Sequence, residues 1–262
     1  MSHSPSFTLL GARLKVASLG RSQAFYAGLL GLVPAVWRPG ELTLRAPGGA
    51  SPLLTLVETP GAAPAPEDAP GLFHLAFLVP DRPALARVLR RLAEKQAPIG
   101  GLSDHGVSEA IYLADPDGNG LEIYADRPRA EWPGRPGKLE MYTRPLDVPN
   151  LLATDPESRA EGLPAGTRIG HVHLRVGDLA EAERFFAGKL GLEVTVRGYP
   201  GALFFAADGY HHHIGANTWG VRPGARAAGA AGLDSVIVAR AGLTAPQTFR
   251  DSDGARFDLT PP

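Results

Sequence analysis

Apolar and polar residues alternate in short runs along most of the chain. Phe73, Leu75, Phe77 and Val79 take every second position, with His74, Ala76 and Leu78 between them, the period of a strand with two unlike faces. Asp81 is then placed to cap a helix whose apolar stripe is Leu85, Val88, Leu89 and Leu92. Strand signals return at Ala110 to Ala114 and Leu121 to Ala125, joined by the turn Asp115-Pro116-Asp117-Gly118-Asn119-Gly120. The same succession occurs elsewhere. Leu14-Lys15-Val16-Ala17-Ser18-Leu19 is echoed by Leu174-Arg175-Val176-Gly177-Asp178-Leu179, and Phe25-Tyr26-Ala27-Gly28-Leu29-Leu30-Gly31-Leu32 by Phe185-Phe186-Ala187-Gly188-Lys189-Leu190-Gly191-Leu192. Each copy predicts a strand, a helix of period near 3.6 closed by a Gly C-cap, and further strands at Leu42 to Arg45 and Leu53 to Val57, or at Ala202 to Ala206 and His211 to Ala216.

The repeating unit is therefore β-α-β-β-β. A degenerate fourth copy starts near Ser235, with strands at Val236-Ile237-Val238 and Arg256-Phe257-Asp258-Leu259, while Ala241 to Gln247 is too short and too interrupted by Gly and Pro for a full helix. Residues 7–126 hold units one and two, 127–166 form a Pro-rich linker with a short helix near Leu151, and 167–262 hold unit three and a truncated unit four.

Composition narrows the function classes. Among 262 residues, 26 Lys plus Arg stand against 27 Asp plus Glu, with no basic run for a phosphate backbone and no basic amphipathic helix for a membrane surface. Small molecules are the expected partners, rather than nucleic acid or membrane, and a homo-oligomer is compatible with the same features. Met1 to Leu10 lacks a leader pattern and no apolar run approaches the roughly 20 residues of a membrane span, so a cytoplasmic protein is expected. Zero Cys excludes disulfides, thiolate zinc sites, iron–sulfur clusters and a cysteine nucleophile. Any metal must be held by His and carboxylates.

Alternation also sorts the polar candidates by face. Ile111, Leu113, Leu121 and Ile123 form an apolar face, leaving Tyr112, Glu122 and Tyr124 to share the other. His74 opposes the apolar face of its strand, as do His171, His173 and Arg175 in the third unit, whereas the equivalent face of the first unit carries Gly11, Arg13 and Lys15.

Four such units resemble the vicinal oxygen chelate superfamily, which includes glyoxalase I, bleomycin-resistance proteins and type I extradiol dioxygenases. The resemblance implies an α+β protein of four βαβββ modules forming two cupped-sheet domains, the glyoxalase/bleomycin resistance/dihydroxybiphenyl dioxygenase fold, with a divalent metal on the concave face. It assigns His74, Glu122 and His171 as metal ligands, at the starts of two first strands and near the end of a last strand. Two imidazoles and one carboxylate make the facial triad of non-haem Fe(II), and Mn(II) would fit the same donors. One ion can bind all three only if unit two pairs with unit three, leaving unit one with unit four, whose corresponding residues are Leu233 and Asp258. Pairing one with two would instead offer Gly11, Glu58, His74 and Glu122, a glyoxalase-like site lacking one ligand.

Asp104-His105-Gly106-Val107-Ser108-Glu109-Ala110, the Asp-Pro-Asp-Gly-Asn-Gly turn with Leu121-Glu122, and Gly209-Tyr210-His211-His212-His213-Ile214-Gly215 together resemble the CatE-like catechol 2,3-dioxygenases. By that resemblance His105, Tyr112 and His212 are the catalytic acid/base and hydrogen-bonding groups, although strand register leaves His211 or His213 as alternatives to His212. The implied activity is ring cleavage of a catechol with O2, using Fe(II) or Mn(II). Two other readings remain open: a glyoxalase-like isomerase or lyase, and a binding protein of the bleomycin-resistance type. Trp219, Phe205 and Tyr199 are candidates for the pocket wall by residue type alone.

Overall fold

In the computed structural model, which describes residues 5–135, 138–158, 161–222, 224, 226–227 and 229–262, every unit begins with a strand hydrogen-bonded in parallel to the unit's last strand. Unit one comprises β1 (Phe7–Val16), β2 (Val33–Arg38), β3 (Glu41–Arg45) and β4 (Pro52–Glu58), and unit two β5 (Gly71–Leu78), β6 (Ile99–Asp104), β7 (Ser108–Ala114) and β8 (Gly120–Asp126). The connection contributes the two-residue strands β9 (Gly134–Arg135), β10 (Lys138–Leu139) and β11 (Arg144–Pro145). Unit three comprises β12 (Arg168–Arg175), β13 (Glu193–Val196), β14 (Ala202–Ala206) and β15 (Ile214–Asn217), and unit four β16 (Gly232–Arg240), β17 (Gln247–Arg250) and β18 (Arg256–Thr260).

Two large sheets result. One has seven strands in the order β17-β18-β16-β1-β4-β3-β2, and the other nine in the order β11-β6-β7-β8-β5-β12-β15-β14-β13. In each, the first strands of two units meet antiparallel at a central seam, β1 against β16 and β5 against β12. The sheets are curled and the helices few, giving the cupped-sheet fold of mixed α and β structure. Leucines and aromatics of both sheets share one continuous apolar core.

Among the described residues the α-helices are α1 (Leu19–Gln23), α2 (Arg82–Glu94), α3 (Val148–Ala153) and α4 (Leu179–Glu183). In α2, Asp81 accepts a hydrogen bond from the Ala84 N–H, a cap worth about 1 kcal/mol, and Leu85, Val88, Leu89 and Leu92 are buried. The helices of units one and three depart from the expected uniform 3.6 period. After one α turn each widens into a π turn, Ala24–Leu29 and Arg184–Lys189, in which Leu30 N–H reaches Phe25 O and Leu190 N–H reaches Phe185 O. The glycines that follow, Gly31 and Gly191, lie at φ 75° and 66°, where they end the helices.

Unit four has no helix between β16 and β17 among the described residues. The 127–166 connection is more structured than a linker reading implies. Besides α3, its β11 pairs with the edge of β6, although 136–137 and 159–160 lie outside the described residues. Residues 1–4, part of the stretch read for a leader, also lie outside them. No helix among the described residues is long and apolar enough to cross a membrane.

Candidate metal centre

The Asp115 turn sets the register that aims Glu122. Asp115 Oδ1 accepts from the N–H groups of Asp117 and Asn119, each at 2.9 Å, and Asn119 Nδ2 donates to Asp115 Oδ2 at 2.9 Å. With β7 and β8 locked from Ala114↔Gly120 onward, Tyr112 lies opposite Glu122. The turn also joins the two halves, because Tyr26 Oη donates to Asp115 Oδ2 at 2.9 Å and Ala17 N–H to Asp117 Oδ2 at 3.0 Å. Its motif thus positions residues and supplies no metal donor.

Across the β5–β12 seam His173 pairs with His74 and His171 with Ala76, while on the other side of β5 Ala76 pairs with Glu122. This register gathers three buried donors on one face. His74 Nε2 and His171 Nε2 are 3.2 Å apart, and each lies 3.0 Å from Glu122 Oε2. Two donors about 2.1 Å from an octahedral divalent ion, and adjacent on it, are separated by about 3.0 Å, so the three atoms have the spacing of one octahedral face. Burial alone would raise the Glu122 carboxyl, yet the imidazoles of His171 and His74 hold it well below the ordinary carboxylate range. Burial lowers His171 to about 4, against the pull of Glu122, so it presents a neutral imidazole at pH 7. Three donor atoms packed this closely need a proton or a cation among them, and one divalent ion would satisfy all three at once. The donor set therefore fits a divalent metal.

The donors open into a cavity of about 810 Å³. Its walls include Phe73, Tyr199, Phe204 and Trp219, together with Met141 and Thr143 from the connection. Phe73 departs from the alternation that assigned it to the core face. The seam pairs His173 with His74 but Leu174 with Leu72, leaving Phe73 as the extra residue of a bulge that turns it to the cavity mouth, 36% exposed and 5.6 Å from the Trp219 ring. Tyr199 and Trp219 also line the cavity, whereas Phe205 is buried in the core against Phe186.

His105, Tyr112 and His212 all reach the same cavity. His105 Nε2 lies 2.7 Å from Tyr112 Oη, and its Nδ1 lies 3.0 Å from the Tyr142 carbonyl, so Nδ1–H donates to Tyr142 and Nε2 accepts from the phenol. Burial, followed by the charge of Glu122, pushes the Tyr112 phenol well up and keeps it a donor. The His212 ring packs 4.2 Å from His171, and burial holds it neutral. Its neighbours face elsewhere: His211 lies behind it, and His213 packs 5.4 Å from Phe7 of the other sheet. His173 is a wall residue beyond the expected set, 4.9 Å from His74 and bonded through Nε2 to Asn217 Nδ2 at 3.0 Å. Its place opposite the apolar face of β12 was a usable signal, but nothing local marks Met141 or Thr143.

The fourth unit requires a correction. At its seam Gly11 pairs with Ile237 and Arg13 with Ser235, and Ile237 pairs with Asp258. Matched to the other seam, Ser235 occupies the place of His74, while Leu233 matches Leu72. The bulge at Asp234 puts Leu233 on the core face opposite Leu14 and Ser235 on the inner face opposite Arg13, a change of face that strict alternation could not show.

A family model described as the Glyoxalase/Bleomycin resistance protein/Dioxygenase superfamily matches residues 9–123 and 168–235. The chain is 45% identical over 234 residues to a Bacillus subtilis (strain 168) protein named catechol-2,3-dioxygenase, covering 87% of this chain and 80% of that protein. A crystal structure of a Bacillus subtilis subsp. subtilis str. 168 protein superposes with a TM-score of 0.67 at 16% identity, over 99% of this chain and 86% of the other. Glyoxalase I from Zea mays superposes with a TM-score of 0.60 at 16% identity, over 98% and 92%. At that identity the two structures speak for the fold alone.

Proposed function

The chain belongs to the glyoxalase/bleomycin resistance protein/dioxygenase superfamily, and we propose that within it the protein is an extradiol dioxygenase that opens a catechol ring with O2. The observation that carries this reading is the triangle of His74, Glu122 and His171 donors at 3.0 to 3.2 Å, facing a cavity that also holds His105, Tyr112 and His212. The name of the 45% identical relative supports it. Fe(II) is the metal of the proposal, with Mn(II) as the alternative, and the compartment is the cytoplasm.

Bound to these three residues, such an ion would supply the Lewis acidity that lowers the pKa of a catechol's hydroxyls and the redox chemistry with O2. The chain's own groups do the rest. His212, neutral and in the cavity wall, accepts a ring hydroxyl proton. Tyr112 hydrogen-bonds a ring oxygen, and His105 behind it moves a proton as the ring opens. Phe73, Phe204 and Trp219 hold the aromatic ring and exclude water.

The test is anaerobic reconstitution with Fe(II) or Mn(II), followed by catechol and air, reading oxygen uptake and formation of a yellow 2-hydroxymuconic semialdehyde. Both are expected, and both should vanish in His74→Ala and His171→Ala. Stoichiometric metal with no oxygen uptake would instead favour an isomerase or lyase, and a chain that takes up no metal would be a binding protein.

A further inference from the structure

Beyond Glu122, the inner face of β8 continues with Tyr124 and Asp126. The Tyr124 ring lies 4.8 Å from His171, and its hydroxyl is 2.8 Å from that of Tyr210, which also reaches both Asp126 oxygens at 3.1 Å. Asp126 Oδ1 is 2.9 Å from His211 Nε2, and His211 Nδ1 is 2.7 Å from His212 Nδ1. His211 is fully buried, its ring 4.0 Å from Tyr210 and 5.2 Å from Trp132, and its carbonyl accepts from Thr195 Oγ1 at 2.6 Å. Adjacent histidines can meet in this way because residues 210–213 bend before β15. In a strand their side chains would oppose each other.

We propose that Asp126 and His211 are positioning residues that hold His212 as the Nδ1–H tautomer, with Nε2 presented bare to the cavity. The proposal rests on the reading of His212 as the group that takes the substrate's proton. The protons can be placed by elimination. A carboxylate only accepts, so His211 Nε2 carries a proton toward Asp126, and a ring holding that one proton has Nδ1 bare. Two bare nitrogens 2.7 Å apart would repel, so the proton between the rings belongs to His212 Nδ1. His212 Nε2 is then the nitrogen left for the cavity, in the state a proton acceptor needs. The same two bonds fix the ring's orientation, the kind of outer support whose loss costs about 10- to 100-fold at metal sites. Glu122 and Asp126, four residues apart on one face of β8, thus serve the metal site and its base from a single strand.

The experiment is histidine ¹⁵N NMR at neutral pH on the full chain, metal-free and loaded with diamagnetic Zn(II), beside kinetics of the Fe(II)-loaded enzyme. In the wild type, His212 should show a protonated Nδ1 and an unprotonated Nε2. Asp126→Ala and His211→Phe should each give a mixture of tautomers, with kcat down about 10- to 100-fold, KM within about threefold, and metal content unchanged. Asp126→Glu should restore part of the kcat. A wild-type His212 protonated at Nε2 would overturn the proposal without any variant having to fold. So would a tautomer that both substitutions leave unchanged. A wild type that opens no catechol would overturn the ring-cleavage reading alone, and the tautomer would still decide the proposal.

Discussion

At the seam of the nine-stranded sheet His173 faces His74 and His171 faces Ala76, whereas at the seam of the seven-stranded sheet Arg13 faces Ser235 and Gly11 faces Ile237, in the same register. The positions that carry His171, His74 and Glu122 in one sheet carry Gly11, Ser235 and Asp258 in the other. Arg13 there is paired with Glu41 at 2.5 Å and Asp234 at 3.3 Å, and Asp258 is held by Arg256 at 2.9 Å and Thr248 at 2.8 Å. Even the bulges correspond, since Phe73 at a cavity mouth is matched by Asp234 in an ion pair. One scaffold therefore supports either a metal-binding concavity or a face closed by charge pairs. A handful of side chains at fixed register decides which, and the fold alone implies neither.

His171→Ala is expected to have the largest effect. Removing one of three donors should weaken metal retention by more than about 100-fold and abolish turnover, as read by metal analysis after dialysis. Retention at wild-type affinity would mean that the seam does not hold the metal. Tyr112→Phe deletes a cavity donor and leaves the triangle intact, so activity should fall about 100-fold at unchanged metal content. A simultaneous loss of metal would merge the two roles that the geometry separates.

Gly11→His combined with Ser235→His tests the other sheet. A Cβ at Gly11 would lie 2.9 Å from the Leu53 carbonyl oxygen, and Asp258 is already paired. The expected result is one metal per chain and a stability loss of about 1–3 kcal/mol by denaturant unfolding. A second bound metal would break the comparison.

The smallest effect concerns His213, whose ring meets Phe7 where the sheets touch. Burial lowers its pKa to about 4, so below about pH 6.5 the unfolded chain takes up its proton before the folded one does. That contribution to stability is complete above about pH 6.5 and is lost as pH falls toward 4. His213→Phe should flatten the decline in stability between pH 6.5 and 4.5 by on the order of 1 kcal/mol. An unaltered slope would remove His213 from the account.

Much of the local structure was legible because it repeats with the covalent period of the chain. Two-residue alternation placed His74, Tyr112, Glu122 and His171 on inner faces, and the spacing of Leu85, Val88, Leu89 and Leu92 marked a helix. The turn motif predicted the β7–β8 hairpin, and the resemblance to the superfamily agrees with the family to which the chain belongs. The failures share a cause. Ser235 rather than Leu233, Phe73 at the mouth rather than in the core, and the π turns after α1 and α4 all involve one or two residues of register. Hydrophobic pattern is blind to a bulge, which turns the residues beyond it to the other face, and to the wider turn of a π segment.

The sequence by itself determined the strand faces away from the two seam bulges, the donor chemistry left to a chain without Cys, and the superfamily. Only the tertiary structure decided that three donors from three strands stand 3.0 to 3.2 Å apart, that His212 rather than His211 reaches the cavity, and that Met141 and Thr143 line it. Periodicity follows from the bonds of each residue to its neighbours. The distance from His74 to His171, 97 positions away, depends on which strands meet and in what register, and only packing of the whole chain settles that.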